Sequence, residues 1–429
     1  MERKLKDSGI PWIGEIPEHW KIARIKDIYS FQTGATPPSK TESFYDGDNL
    51  WANIGDINGK IIFETSKHLS DEGVSVCSMN ISPKGSLLYS FKLSVGQVAF
   101  CGVDMYTNEA IATFIGEPTA LSYLYYVAPL FIVFNANTNI YGAPILNQDL
   151  IKNAIIPVPP LAEQERIAAY LDEKCGEIDE LIDVEQQMIS DLESYRQAVI
   201  TEAVTHGLNP DVPVKETTSF WLPKIPAHWE LHYLRGISKG FRKGNGITKE
   251  DLIPDGNIAC VRYGDLYTKY NHHISDIHCR TNVSKIQNPV YAAYGDIYFT
   301  CSGEDVDAIG KSAAYLSDED CLIGGDLIIM KHSQNPKFLG YSLDSIISQK
   351  QKSYGKSKLK VVHTSVKDLK NVAVAIPPLS EQKKIAEYLD AKCSEIDELI
   401  KVKQEKIETL KQYRQSLIFE AVTGKITIA

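Results

Sequence analysis

No Cys-x-x-Cys pair occurs among the eight cysteines of this 429-residue chain: Cys77, Cys101, Cys175, Cys260, Cys279, Cys301, Cys321 and Cys393. Thiols scattered in this way supply neither a zinc site nor a disulfide framework, and they suit a reducing cytoplasm. No stretch reaches the roughly 18 uninterrupted apolar residues of a membrane helix. The most apolar run, residues 121–134, is broken by Pro129 and four Ser or Tyr residues and is expected to be buried core. The start, MERKLKDSGIPW, has no apolar run of signal-peptide type.

Complete catalytic signatures are missing too. Gly310-Lys311-Ser312 looks like the end of a phosphate-binding loop, but Asp305 stands where the first glycine belongs, so no nucleotide site is expected. Gly244 and Gly246 lack the third glycine of a dinucleotide motif. There is no Asn/Asp-Pro-Pro-Tyr/Phe run of the kind amino-methyltransferases use on a flipped base. His272-His273 has no partners at metal-ligand spacing and reads as a surface loop. Pro254-Asp255 has no nearby acid-x-Lys partner, so a nuclease centre is not supported. No catalytic or metal-binding residue is assigned, and a non-catalytic binding subunit is expected. At 43% hydrophobic and 23% charged residues the composition excludes wholesale disorder, and the length suits two or more domains.

A net charge of −10 argues at first against nucleic acid. Its distribution removes the objection. Residues 1–155 carry 12 basic and 16 acidic side chains, 156–210 carry 3 and 12, 211–373 carry 21 and 18, and 374–429 carry 9 and 9. Nearly all the excess acid lies in one short segment.

The most informative feature is a duplication. Residues 159–205 and 377–423 are identical at 30 of 47 positions without a gap, at a shift of 218. A shorter repeat precedes each long segment: WIGEIPEHW, ending at His19-Trp20, matches WLPKIPAHW, ending at His228-Trp229, at a shift of 209. The shifts differ by nine, so the second variable segment is nine residues longer. Between the repeats the similarity nearly vanishes, apart from echoes such as Lys152-Asn153 and Lys370-Asn371.

Each longer repeat opens Pro-Pro-Leu-x-Glu-Gln and then runs some 45 residues without Gly or Pro, except Gly176. That predicts a helix about 65 Å long starting after the prolines. Its heptads define an apolar seam holding Leu171, Ile178, Ile182, Ile189 and Leu192 in the first copy and Leu389, Ile396, Ile400, Ile407 and Leu410 in the second. Glu185 interrupts the seam in one copy and Lys403 in the other. In an antiparallel pair with a pseudo-twofold these two would face each other, favouring pairing within one chain over self-pairing.

The variable segments alternate short apolar runs with Gly, Asn and Asp turns, and helices are predicted near 119–134 and 336–351, so each is expected to be an α+β domain. Candidate DNA contacts in the second follow its basic and aromatic interleaving: Arg242, Lys243, Arg262, Tyr263, Lys269, Tyr270 and the acid-free run bearing Lys350, Lys352, Lys356, Lys358 and Lys360. A merely solvated lysine loop stays open as the alternative. In the first segment the candidates Lys40, Asn53, Lys60, Lys67 and Lys84 are dispersed. Residues 51–56 suit a buried strand as well as a recognition strand.

This order resembles the specificity subunit of type I restriction–modification systems. The resemblance spans the chain and is carried by Pro159-Pro160-Leu161-Ala162-Glu163-Gln164, Pro377-Pro378-Leu379-Ser380-Glu381-Gln382 and the motifs ending in Trp20 and Trp229. It implies two globular target-recognition domains, 1–155 and 211–373, joined by a pair of long antiparallel coiled-coil helices, 156–210 and 374–429. Each domain would read one half of an asymmetric bipartite site on double-stranded DNA, and the helices would fix the spacer. The resemblance also implies partners: two methyltransferase subunits docked on the helices, and restriction/translocase subunits. S-adenosylmethionine and ATP with Mg would be bound by those partners, with no cofactor in this chain and no membrane association. A stand-alone DNA methyltransferase or nuclease with a coiled-coil dimerisation arm is the competing reading, and a pure coiled-coil scaffold is a third. Neither accounts for two different domains on one duplicated frame.

Overall fold

The two longer repeats each become one helix, Leu161–His206 and Leu379–Val422, of 46 and 44 residues. The computed structural model describes residues 4–138, 142–303, 306, 309–357 and 362–428. The Pro-Pro pair ends the preceding strand, Ile155–Val158 in one copy and Ala373–Ile376 in the other. Proline then suits the first helical turn, where its missing N–H costs nothing. The buried amides of Gln164 and Gln382 fold back and donate to the Pro159 and Pro377 carbonyls at 2.9 and 2.8 Å. The repeated Gln therefore seals the helix start.

The chain divides into two units, Met1–Glu185 with Glu405–Ala429, and Gln186–Gln404. In the first, a five-stranded sheet has the order Ser30–Thr33, Ile111–Ile115, Leu87–Ser90, Val98–Cys101, Ile61–Ile62. The first three pairings are antiparallel and the last is parallel. A smaller sheet sets Asn49–Ala52 between Tyr106–Thr107, parallel, and Lys67–Leu69, antiparallel. The helix Pro118–Phe131 buries Leu121, Leu124, Val127 and Phe131.

The second unit has the same plan. Its five-stranded sheet runs Gly240–Lys243, Leu327–Lys331, Ile297–Thr300, Ser312–Tyr315, His273–Ile274, again with three antiparallel pairings and a final parallel one. Ile258–Val261 lies between Cys321–Ile323, parallel, and Arg280–Thr281, antiparallel, and the short strand Tyr291–Ala292 is added at one edge. The fold is α+β, and the duplication extends through domains whose sequences no longer resemble each other.

Within each unit the helix segments run antiparallel. In the first, Arg414 pairs with Asp179 at 2.9 Å and Lys406 with Glu185 at 2.6 Å. In the second, Arg196 pairs with Asp397 at 2.5 Å, and Lys403 Nζ donates to Met188 Sδ at 3.3 Å. At the shift of 218 these two sets are counterparts, residue for residue. Of the seam, Leu171, Ile178, Ile182, Glu185, Leu389, Ile396, Ile400 and Ile407 are buried, and Ile189, Leu192, Lys403 and Leu410 are half-buried. Glu185 and Lys403 belong to different units. In its own unit Glu185, 3% exposed, takes the ammonium of Lys406.

The shorter repeat closes each unit. Trp20 and Trp229 are fully buried. In the first unit His19 Nε2 and Trp20 Nε1 meet the Glu163 carboxylate at 2.6 and 3.0 Å, at the start of the first helix. The end of the second helix, Gly424, lies against Pro17 and Trp20. In the second unit His228 meets Glu381 at 2.7 Å, and Gly207, ending the first helix, lies against Trp229. Both glycines hold φ near +71° and +83°, the left-handed conformation that ends a helix. A Cβ on Gly424 would sit 2.5 Å from Pro17, and one on Gly207 3.2 Å from Trp229. Gly207→Ala and Gly424→Ala are each expected to destabilise the fold by about 1–3 kcal/mol, Gly424→Ala the more. Urea denaturation midpoints check this; an unchanged midpoint for both contradicts it.

Candidate nucleic-acid interface

In the second domain several sequence-selected residues share one locus. Arg242 and Lys243 end an exposed edge strand. The following turn is tied to residue 323 by the Asn245 N–H donating to the Ile323 carbonyl at 3.0 Å. Gly324 N–H in turn donates to the Val261 carbonyl at 2.8 Å, next to Arg262. The Arg262 guanidinium forks onto buried Asp265, Nε to Oδ2 at 3.0 Å and Nη2 to Oδ1 at 3.1 Å. Burial alone would raise the Asp265 carboxyl; the bonds from Arg262 and Lys269 outweigh it and hold the group below the ordinary carboxylate range. Tyr263, 45% exposed, stands beside this pair. The arrangement presents cations and one aromatic ring on rigid backbone, a surface suited to phosphate and base edges.

Other candidates lie elsewhere, and two are corrected. Lys352 is no surface cation: it is 2% exposed, and its Nζ donates to the Gly310 and Leu343 carbonyls at 2.6 and 2.7 Å. Burial pulls its ammonium down to about 8. It sits on the helix Ile346–Ser353, where Lys350 faces solvent and the side chain two residues on faces the core. Tyr270 is also interior; its ring stacks on His278 and its hydroxyl accepts from the His278 N–H. Lys269 is held by Asp265 at 3.0 Å, and Lys356 by Asp368 at 3.1 Å. Lys358 and Lys360 lie outside the described residues. The His272-His273 pair is not a surface loop. His272 is buried with Nδ1 2.8 Å from Asp344, and His273 enters the sheet, where desolvation lowers its pKa to about 4.

In the first domain Lys40, Lys67 and Lys84 are exposed, with Lys67 over the Tyr45 ring at 5.8 Å. Trp51 is buried in its strand, and Asn53 caps the turn that follows. Lys60 is exposed but turned to the first helix, pairing with Asp172 at 2.5 Å. Tyr126 donates to the same carboxylate. In the second unit the counterpart Asp390 takes Lys337 at 2.6 Å and Tyr341 at 2.9 Å. A cleft adjoins each latch, of about 500 Å³ beside Asp172 and Cys175 and about 600 Å³ beside Asp390 and Cys393. Sequence reasoning missed these latches; the signal was the repeated Tyr-Leu-Asp-x-Lys-Cys.

Two like units, each a variable domain clamped to segments of both helices, are what the comparisons with known proteins reflect. The family model for the type I restriction modification DNA specificity domain matches residues 17–194 and again 226–409. The chain belongs to that family. It is 24% identical to the type I restriction enzyme MjaIX specificity subunit of Methanocaldococcus jannaschii, over 97% of this chain and 95% of that one. It is 25% identical to the EcoKI specificity subunit of Escherichia coli strain K12, over 96% and 90%. A chain solved in work on complex assembly and conformational transition of the type I R-M system shares its fold, with a TM-score of 0.68 at 19% identity, covering 96% of this chain and 99% of that chain.

For a member of this family the helices carry a second overlooked feature. Leu181, Val184 and Tyr195 are exposed, and so are their counterparts Leu399, Val402 and Tyr413. These residues are repeated in both copies and lie outside the seam. Among the described residues no group of three or more His, Cys, Asp or Glu is placed to hold a metal ion, and no helix is long and apolar enough to cross a membrane.

The contrast between Lys350 and Lys352 can be measured. Lys352→Ala is expected to destabilise the fold by about 2–4 kcal/mol through an emptied site and two orphaned carbonyls. Lys350→Ala should leave stability within about 0.5 kcal/mol. Thermal melts of both variants check this, and equal effects contradict it.

Proposed function

We propose that this chain is the DNA-specificity subunit of a type I restriction–modification complex, itself non-catalytic and acting in the cytoplasm. Each variable domain reads one half of an asymmetric bipartite site, and the long helices set the distance between the halves. The observation that carries this reading is one frame used twice: a lead-in motif identical at five of nine positions and a helix repeat identical at 30 of 47, holding domains of the same strand order and unlike sequence. A frame under such constraint does one job twice, while divergent domains on it take different targets.

The same duplication supports two methyltransferase subunits as partners. Each helix exposes Leu, Val and Tyr at equivalent positions, so whatever docks on one copy can dock on the other. The excess acid of residues 156–210 suits a basic partner. Restriction/translocase subunits would join through those subunits. S-adenosylmethionine and ATP with Mg would belong to the partners.

The spacer is the test. Four residues removed from each long helix shorten it by about 6 Å. The complex assembled on that variant is expected to prefer a different gap between unchanged half-sites, measured by competition binding with duplexes of graded spacing. An unchanged preferred gap contradicts the reading.

A further inference from the structure

The two variable domains share a position that their overall divergence conceals. The strands Asn49–Ala52 and Ile258–Val261 are equivalent in strand order and lie at a shift of 209, the shift of the lead-in repeat. Each ends in one turn built from the same parts. Asn53-Ile-Gly-Asp56 follows the first strand and Arg262-Tyr-Gly-Asp265 the second. In both, the buried aspartate accepts the backbone N–H of the first turn residue, at 2.9 Å from Asn53 and 3.1 Å from Arg262. The Asn108 N–H bonds the Ala52 carbonyl at 3.0 Å, as that of Gly324 bonds Val261. The scaffold is kept, and the side chain at its head is changed.

What those two side chains have left to offer differs in a readable way. The Asn53 amide oxygen accepts from the Gly55 N–H at 2.8 Å, and its nitrogen donates to Ser66 Oγ at 2.9 Å. An amide has two donors and two acceptor positions, so one of each remains. That pair matches the N7 acceptor and N6 donor of adenine in the major groove. Arg262 spends Nε and one Nη2 hydrogen on Asp265. Nη1 and the second Nη2 hydrogen remain, donors only, and they match O6 and N7 of guanine. Asp265, bonded also by Lys269, holds the fork in place before any DNA arrives.

The geometry points to Asn53 and Arg262 as equivalent specificity-determining residues, Asn53 reading an adenine in one half-site and Arg262 a guanine in the other. Asp56 and Asp265 are positioning residues. The inference rests on the function proposed above and names two of the contacts it requires.

The test is methylated-base sequencing of DNA from cells carrying the chain with its methyltransferase subunits, as wild type, Asn53→Ser and Arg262→Lys. Serine keeps a capping oxygen and loses the amide donor, and lysine keeps the charge and loses the fork. Each variant is expected to relax discrimination at one position of one half-site by about tenfold or more, and the two should affect different halves. Variants that keep the wild-type motif, or lose methylation equally at every sequence, overturn this inference alone. A wild type that yields no two-part motif overturns the function reading, and this one with it.

Discussion

Everything in this molecule depends on a junction made twice, where a buried tryptophan sits between the start of one long helix and the end of the other. Trp20 lies against Gly424 and bonds Glu163; Trp229 lies against Gly207, with His228 on Glu381. Removing an aromatic side chain of that size from water contributes roughly 2–3 kcal/mol, more than any of the solvent-exposed ion pairs on the frame. The junction fixes where each domain begins and which helix ends it must touch. Once those are fixed, the interior of the domain can change without moving its attachment.

The latches on Asp172 and Asp390 show how far that freedom extends. The aspartates are repeated, but the lysines that meet them do not come from matching places. Lys60 reaches Asp172 from a turn between strands, whereas Lys337 reaches Asp390 from the helix that also carries Tyr341. Each domain has found its own lysine for a carboxylate the frame supplies, while the tyrosine comes from the corresponding helix in both, Tyr126 on Pro118–Phe131 and Tyr341 on Pro336–Asp344. Geometry at the frame is therefore held constant while the recognition surface varies, which is the division of labour a specificity protein needs.

Much of this could be read from residues alone. The duplication, the helix starts at Pro-Pro, the seam and the family resemblance all rest on local pattern or on self-comparison, which a single chain supplies. The common strand order of the two domains could not be read, because pairing such as Leu87–Ser90 with Ile111–Ile115 is non-local and carries no repeated residues. The site was less legible than the fold. A run of lysines looks like a solvated face until a helix turns Lys352 inward and carbonyls receive it. The chemistry of Arg262 and Asn53 is legible in the residues, but their equivalence lies in the turns that hold them.

If the readers are interchangeable parts on a duplicated frame, exchanging one for the other changes the DNA site in a defined way. Replacing the second variable segment, between Trp229 and Pro377, with the first, between Trp20 and Pro159, tests this most directly. Methylated-base sequencing of DNA exposed to the complex assembled on that chain should return a palindromic two-part site, both halves matching the half-site that the first domain reads. An unchanged asymmetric site, or a one-part site, would show that the two domains are not interchangeable readers.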